Sequence, residues 1–143
     1  MLNVTARQEL MRTIVDTLGV VVEEARLDFG KDGLSVRVVD PSHVAMIKME
    51  VDSAAFETWE IDETQLGLEM RKLTGILGQG GAGDMVELAY NDESGQATIK
   101  IGRIDLNLRP LDNTTLNPPN VPSLELPCGV TIAGSELAKA LRA

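Results

Sequence analysis

Gly33–Met49 reads GLSVRVVDPSHVAMIKM and holds two alternating segments on either side of a polar turn. In Leu34–Val39 every second residue is a large aliphatic, with Ser and Arg between them. After the turn Asp40–His43, the next segment would place Val44, Met46 and Lys48 on one side and Ala45, Ile47 and Met49 on the other. Period-two alternation around Asp-Pro-Ser predicts two antiparallel strands that meet at a tight corner.

The residues before this pair of strands predict a helix and a third strand. The helix would carry one apolar stripe at helical spacing, formed by Leu10, Met11, Ile14, Val15 and Leu18. Thr5 and Gln8 have capping-box spacing and would start this helix, and Gly19 would end it. Ala25–Phe29 alternates like a strand, and Lys31-Asp32-Gly33 predicts the turn that joins it to Leu34.

The residues that follow predict short elements of both kinds. In chain order we expect a helical turn, two strands, a second helix and three further strands, at Ser53–Phe56, Glu57–Ile61, Leu66–Met70, Arg71–Leu77, Met85–Tyr90, Ala97–Ile101 and Arg103–Leu111. The hairpins and the two separate helices predict an α+β fold in which two helices pack on antiparallel β-sheet.

The composition changes after this region. Asn113–Pro127 holds four of the six prolines and lacks a regular pattern, which is typical of an extended linker. Beyond it, Gly129–Ala133 is strand-like, and Ser135 would cap a helix with an apolar stripe of Leu137, Ala138 and Leu141. The order of strand, cap and helix repeats the start of the chain and suggests the opening of a second copy of the domain.

The composition excludes several classes of function. A net charge of −9 argues against a protein that coats nucleic acid in general. An acidic protein can still carry a small basic face. Cys128 and His43 are the only residues of their types, so we expect no disulfide, no metal centre and no cofactor. The sequence shows neither a secretion signal nor a membrane-spanning run, which predicts a cytoplasmic protein.

The chain also lacks the motifs of an enzyme. Gly78–Asp84, GQGGAGD, resembles a phosphate-binding loop only in its glycines, because a helix precedes it and no Lys follows it. The carboxylate pairs Glu23-Glu24, Asp62-Glu63 and Asp92-Glu93 lie in predicted loops or exposed positions and are interpreted as solvated surface charge. We therefore predict a non-enzymatic protein.

The same residues resemble a known family. Four short segments occur here in the order seen in sliding DNA clamps. They are Glu24-Ala25 before a strand, Asp40-Pro41-Ser42-His43-Val44 before an apolar strand, Ile76-Leu77, and Leu111-Asp112 before the proline-rich segment. The chain is similar to the proliferating cell nuclear antigen (PCNA) family, especially its archaeal members. This resemblance implies a clamp N-terminal domain over 1–112, an interdomain connecting loop over 113–127, and the opening strand and helix of a truncated second clamp domain over 128–143.

The resemblance implies a processivity factor in DNA replication and repair that encircles duplex DNA without reading its sequence. The implied partners are DNA polymerase, ligase, flap nuclease and clamp loader, each attached through a short peptide motif. The chains of such clamps form a ring in which edge strands pair between subunits. The implied edge strands are Ala45–Val51 and Ile104–Leu111, represented by Ala45, Ile47, Met49, Ile104, Leu106 and Leu108.

The resemblance also implies two binding surfaces. The partner-peptide pocket would be formed by Val39, His43, Val44, Met46, Val121, Pro122 and Leu126. The DNA-facing cations would be Arg12, Arg71, Lys72, Lys139 and Arg142.

A second hypothesis fits the same residues. The chain could be a single-domain clamp homologue or fragment that pairs through its edge strands as a non-encircling, regulatory module. The sequence does not rank the two hypotheses, and the oligomeric state of the chain distinguishes them.

Overall fold

The computed structural model describes residues 1–113 and 116–143; Thr114 and Thr115, which belong to the expected connecting loop, lie outside the described residues. Nine strands are described: β1 Leu2–Arg7, β2 Glu24–Gly30, β3 Gly33–Val39, β4 Met46–Asp52, β5 Thr58–Ile61, β6 Thr64–Glu69, β7 Met85–Asn91, β8 Gln96–Ile101 and β9 Ile104–Leu108. The described helices are α1 Gln8–Gly19, α2 Met70–Leu77 and α3 Gly134–Arg142, with a 3₁₀ turn at Ser53–Ala55. The predicted α+β class is confirmed.

The strands form two antiparallel sheets. Sheet A has the order β5-β1-β7-β8-β9, and sheet B has the order β4-β3-β2-β6. The quoted hairpin lies in sheet B, where Val39 faces Met46 and Leu34 faces Val51 across β3 and β4. The chain starts in sheet A with β1 and crosses to sheet B after α1. It returns to sheet A for β5, between β4 and β6 of sheet B, and again after α2.

The core is almost entirely aliphatic, as the scarcity of aromatic residues requires. The inward residues of β2 and β3 are buried, as the alternation predicts, and those of β4 are half-buried against them. α1 contributes Met11, Ile14, Val15 and Leu18, and α2 contributes Met70, Leu73, Ile76 and Leu77. Burial of this apolar surface supplies the main stabilising free energy of the domain.

An aromatic contact joins the two sheets at one end. The ring of Trp59 in β5 lies 4.6 Å from that of Phe56 and 5.8 Å from that of Phe29 in β2. Its indole N–H donates to the carbonyl of Gly30 at 3.2 Å. Because β5 belongs to sheet A and β2 to sheet B, this cluster fixes the relative position of the two sheets at that point.

The start of α1 differs from the predicted capping box. Thr5 lies within β1, and the residue before the helix, Arg7, makes no side-chain cap. Gln8 is instead 2% exposed, and its amide donates to the carbonyls of Leu77 at 2.8 Å and Gly80 at 3.4 Å. The strand pattern of β1 overrides the local capping signal, and Gln8 ties the start of α1 to the end of α2.

The C-terminal region departs from the prediction in two places. Gly129–Ala133 forms no strand, since its backbone has no strand beside it within the described residues. α3 does form, but its N-cap is Ala133 and not Ser135, and no side chain caps it. Every residue from 120 to 143 is exposed, including Leu141 at 78%.

The Gln8 link can be tested by removing its donor while keeping its volume. Gln8→Met removes this donor from the buried carbonyl of Leu77 and the partly buried carbonyl of Gly80, so we expect the free energy of unfolding to fall by about 1–3 kcal/mol. Urea denaturation measures the change. The matched control is Gln79→Met, because Gln79 is exposed; equal losses in the two variants would contradict the role assigned to Gln8.

Candidate functional site

The turn between β3 and β4 is organised by one carboxylate. Asp40 accepts hydrogen bonds from the backbone N–H groups of Val44 and Ala45, both at 2.7 Å. It also accepts from the backbone and the hydroxyl of Ser42. His43 adopts a φ of 59°, the only positive φ among the described non-glycine residues. The Asp side chain therefore fixes the path by which the chain enters β4.

These hydrogen bonds favour the charged form of Asp40. The hydroxyl of Ser42, then the N–H of Ala45, and more weakly those of Val44 and Ser42, lower the pKa of the carboxyl to about 2. At neutral pH the turn is therefore held by a full negative charge. The role of this carboxylate is structural, because its oxygens are occupied by the turn itself.

The residues of the expected peptide pocket lie in two groups. Val39 and Met46 face each other across β3 and β4, and His43 and Val44 lie in the adjoining turn, where Val44 is 86% exposed. The second group is Val121, Pro122 and Leu126, all of them exposed, with Leu126 at 75%. The described cavity that includes Val39 is instead closed by residues 116–119. The structure thus groups the β3–β4 residues and leaves the loop residues solvent-exposed.

Leu111, Asn113 and Leu116, at the junction of the expected domain and connecting loop, lie against β6 of sheet B. The N–H of Leu111 donates to the carbonyl of Gly67 in β6 at 2.7 Å, and the amide of Asn113 donates to Gln65 at 2.8 Å. A Cβ at position 67 would lie 2.6 Å from Leu116 Cδ1 and 3.1 Å from Leu111 Cβ. Glycine at this position therefore allows this segment to lie directly on the sheet.

Both of the expected edge strands lie at sheet edges. β4 pairs only with β3, and β9 pairs only with β8. The other two edges are less open, because β5 has four residues and β6 is bridged by Leu111. Ile47, Met49, Ile104 and Leu108 pack against the core, and Leu106 is 39% exposed.

Two details of the expected edge strands are wrong. Ala45 is not part of β4, because its N–H bonds to the Asp40 carboxylate and its carbonyl accepts from the Asp40 N–H. The last strand ends at Leu108 and not at Leu111, since Leu111 has turned to bridge Gly67 of sheet B. The open edges are thus Met46–Asp52 and Ile104–Leu108.

Arg12 and Arg71 lie on the exposed side of the paired helices. Arg12 Nε is 3.5 Å from the Asp16 carboxylate one turn along α1. Arg71, on α2, lines a groove together with Asp16, Gly19 and Thr74. Within the described ranges Arg71 makes no ion pair, although Asp16 and Glu23 line the same groove.

The other three expected DNA-facing cations lie elsewhere. Lys72 is 3.2 Å from Glu69 and lines a cleft between α2 and β9 that also includes Arg109. Lys139 and Arg142 are on α3, which has no buried residue and so does not pack against α1 or α2. The structure therefore brings Arg12 and Arg71 to one face and does not bring the other three cations to it.

Other kinds of site have no support in the part of the chain that is described. Residues 1–113 and 116–143 contain no group of three His, Cys, Asp or Glu side chains placed to hold a metal ion. No helix in these ranges has the length and apolar character needed to cross a membrane.

The sequence interpretation missed three residues that position these surfaces. Asp40 belongs to the quoted turn, and its Asp-Pro-Ser context is a signal for a side chain that bonds the following backbone. Gly67, inside the predicted strand Leu66–Met70, signals a close backbone approach. Gln8 carries no comparable signal, because its partners Leu77 and Gly80 are distant in sequence.

The chain was compared with known proteins. The family described as "Proliferating cell nuclear antigen, N-terminal domain" matches residues 1–106. The "DNA polymerase sliding clamp" of Methanosarcina mazei is 35% identical over the whole chain, and that of Haloarcula marismortui is 29% identical. The chain spans 59% and 58% of the length of these two relatives.

Solved structures show the same similarity. PCNA of A. fulgidus, with the C-terminal region of FEN-1 bound, superimposes with a TM-score of 0.84 at 32% identity, over 89% of this chain and 52% of that one. PCNA of Entamoeba histolytica has a TM-score of 0.77 at 18% identity, over 87% of this chain and 52% of that one, and supports the fold alone.

The Asp40 turn predicts a specific loss of stability in acid. Because the pKa of Asp40 is lowered to about 2, its contribution is complete above the ordinary value of 3.8 and is lost as the pH falls through 2. Asp40→Asn should therefore lower the urea midpoint at neutral pH, and its difference from the wild type should shrink between pH 4 and 2. Glu60→Gln, at an exposed carboxylate, is the control; a difference for Asp40→Asn that stays constant with pH would contradict this account.

Proposed function

The chain belongs to the proliferating cell nuclear antigen family, whose N-terminal domain it carries over residues 1–106, and from this membership we propose that it acts as part of a sliding clamp. The clamp would encircle duplex DNA, independently of sequence, and hold replication and repair enzymes on it. It would perform no chemistry itself. The chain would act through three surfaces: the open edges of β4 and β9, the exposed face of α1 and α2, and the β3–β4 turn.

The observation that carries this proposal is the pair of open edges. β4 and β9 end two different sheets, and each has a neighbour on one side only among the described strands. An open edge is a template for another strand, so pairing β4 of one chain with β9 of the next would extend both sheets across a subunit boundary. Repetition of one such head-to-tail contact produces a ring when its rotation closes.

We propose that duplex DNA passes the exposed face of α1 and α2. Arg71 lies on this face without an ion-pair partner in the described ranges, and Arg12 is held there by Asp16. The expected contributions of Lys72, Lys139 and Arg142 remain part of the proposal, although the structure places them on other surfaces. Few phosphate contacts suit a clamp, because encirclement retains the DNA and tight contacts would oppose sliding.

We propose that partner enzymes dock beside the β3–β4 turn. Val39, His43, Val44 and Met46 form one wall, and Val121, Pro122 and Leu126 of the connecting loop would form the other on binding. The proposed domain division remains 1–112, 113–127 and 128–143. FEN-1 bound to the A. fulgidus protein supports a flap nuclease as one partner; polymerase, ligase and clamp loader are further proposed partners.

One observation favours the alternative of a non-encircling module. Arg12 is paired with Asp16 at 3.5 Å, and three of the other expected cations lie on other surfaces, so the exposed face of α1 and α2 carries little free positive charge. A chain that pairs through β4 and β9 without surrounding DNA would need no basic face. Retention on DNA separates this alternative from the clamp.

Encirclement is tested with circular and linear duplex. A clamp is held on a closed circle by topology and leaves a linear molecule through its ends, so the protein should stay on a nicked plasmid during gel filtration at high salt. It should be lost after the plasmid is cut once. Equal retention, or no retention on either form, would contradict encirclement and favour the non-encircling module.

The Arg71 contact is tested by the salt dependence of duplex binding. In a plot of the logarithm of the binding constant against the logarithm of the salt concentration, Arg71→Gln should make the slope less steep by about 1. This is the change expected for the loss of one phosphate contact. Arg103→Gln makes the same charge change in the exposed β8–β9 turn and should leave the slope unaltered. Equal slopes for Arg71→Gln and wild type would exclude Arg71 from the DNA surface.

A further inference from the structure

Two arginines lie side by side where the connecting loop crosses sheet B. A cavity of about 140 Å³ is lined by Arg26 of β2, Arg37 and Val39 of β3, and residues 116–119 of the crossing segment. Leu116, Pro118 and Pro119 make one wall apolar. The cavity is thus a narrow cleft with an apolar wall and two guanidinium groups.

Most of the donor capacity of these arginines is unused. Arg37 is half-buried and makes no ion pair or side-chain hydrogen bond within the described residues. Arg26 donates from Nε and Nη2 to the Asp28 carboxylate at 2.9 and 3.2 Å, which occupies one edge of its guanidinium. Since each guanidinium has five N–H donors in a planar fork, a bidentate position remains on both side chains.

Within the lining of the cleft, the two arginines outnumber the one carboxylate, which belongs to Glu24. Lys48 of β4 lies directly opposite Arg37, and like charges opposite each other on a sheet are destabilising. Lys48 is 3.5 Å from Glu50, which leaves Arg37 without a carboxylate of its own. A chain of net charge −9 therefore keeps an unneutralised Arg37 at this position. A carboxylate of a ligand would supply the missing ion-pair partner.

We propose that this cleft binds an acidic segment of the partner protein, next to the peptide that docks at the β3–β4 turn. The inference rests on the proposed function through Val39, which belongs both to the cleft and to the docking wall. A Glu or Asp side chain of the partner would receive the bidentate hydrogen bonds of Arg37, and its aliphatic neighbours would contact Leu116, Pro118 and Pro119.

The surroundings favour a peptide over a nucleic acid. Glu24 lines the same cleft, and Asp28 and Glu50 lie close to Arg26 and Lys48. These carboxylates would repel the continuous charge of a phosphate backbone, whereas a single carboxylate on an apolar peptide avoids them. The apolar wall likewise matches aliphatic side chains.

The test uses the intact chain and a labelled peptide with the sequence of the FEN-1 C-terminal region that binds A. fulgidus PCNA. The peptide is extended at either end with Glu, Ser or Lys residues. Fluorescence anisotropy at low salt should show that a Glu extension tightens binding about five- to tenfold over Ser, as expected for a bidentate Arg–carboxylate pair. A Lys extension should weaken binding. No preference for Glu at either end would overturn the proposal.

Substitutions assign the effect to Arg37. Arg37→Gln should abolish the gain from Glu, Arg37→Lys should keep part of it because the charge remains without the fork, and Arg103→Gln should keep all of it. Unaltered urea midpoints show that each variant is folded. If the Glu extension still tightens peptide binding in Arg37→Gln, the assignment is wrong. It is also wrong if Arg37→Gln loses affinity for duplex DNA to the same extent as affinity for the peptide.

The unextended peptide separates this inference from the proposed function. If it binds and the Glu extension adds nothing, the docking wall stands and the acidic cleft is wrong. If it fails to bind and the Glu-extended peptide binds in an Arg37-dependent way, the cleft stands and the docking wall is wrong. If neither binds, both are wrong.

Discussion

The unpaired backbone of β4 and β9 is the constraint on which this structure depends. Two sheets that remain separate must end somewhere, and each ends here in a strand whose outer N–H and C=O groups meet no described strand. A globular domain can cover such edges, as Leu111 does in bridging β6, or leave them for another chain. This domain leaves β4 and β9 open, and the proposed pairing between chains depends on these two edges.

The remaining features hold those edges and the adjoining surfaces in place. The Asp40 carboxylate fixes the entry to β4, and Gln8 joins the two helices whose exposed face we assign to DNA. Gly67 lets the crossing segment lie against sheet B, which builds the arginine cleft beside the proposed docking wall. Asp40 and Gln8 bind backbone groups with their side chains, and Gly67 has no side chain to obstruct the crossing segment. A pattern of hydrophobic residues therefore does not reveal any of the three.

Alternation and helical spacing were sufficient to predict β2, β3, both helices of the domain and the two edge strands, because burial on one face enforces those periods. They failed where the outcome depends on contacts distant in sequence. Thr5 was predicted to cap a helix but lies in β1, and Gly129–Ala133 has the pattern of a strand without a neighbour to pair with. The pocket divides into two groups because nothing local positions Val121 or Leu126 against the β3–β4 turn.

The absolute mass in solution tests the central claim most directly, by light scattering across a concentration series. If β4 and β9 pair between copies, the mass should rise above the 15.4 kDa of one chain towards a closed multiple. Leu106→Lys, which places a charge on the β9 edge, should return it to one chain. A mass of 15.4 kDa for the unaltered protein at every concentration would contradict edge pairing and the ring built on it.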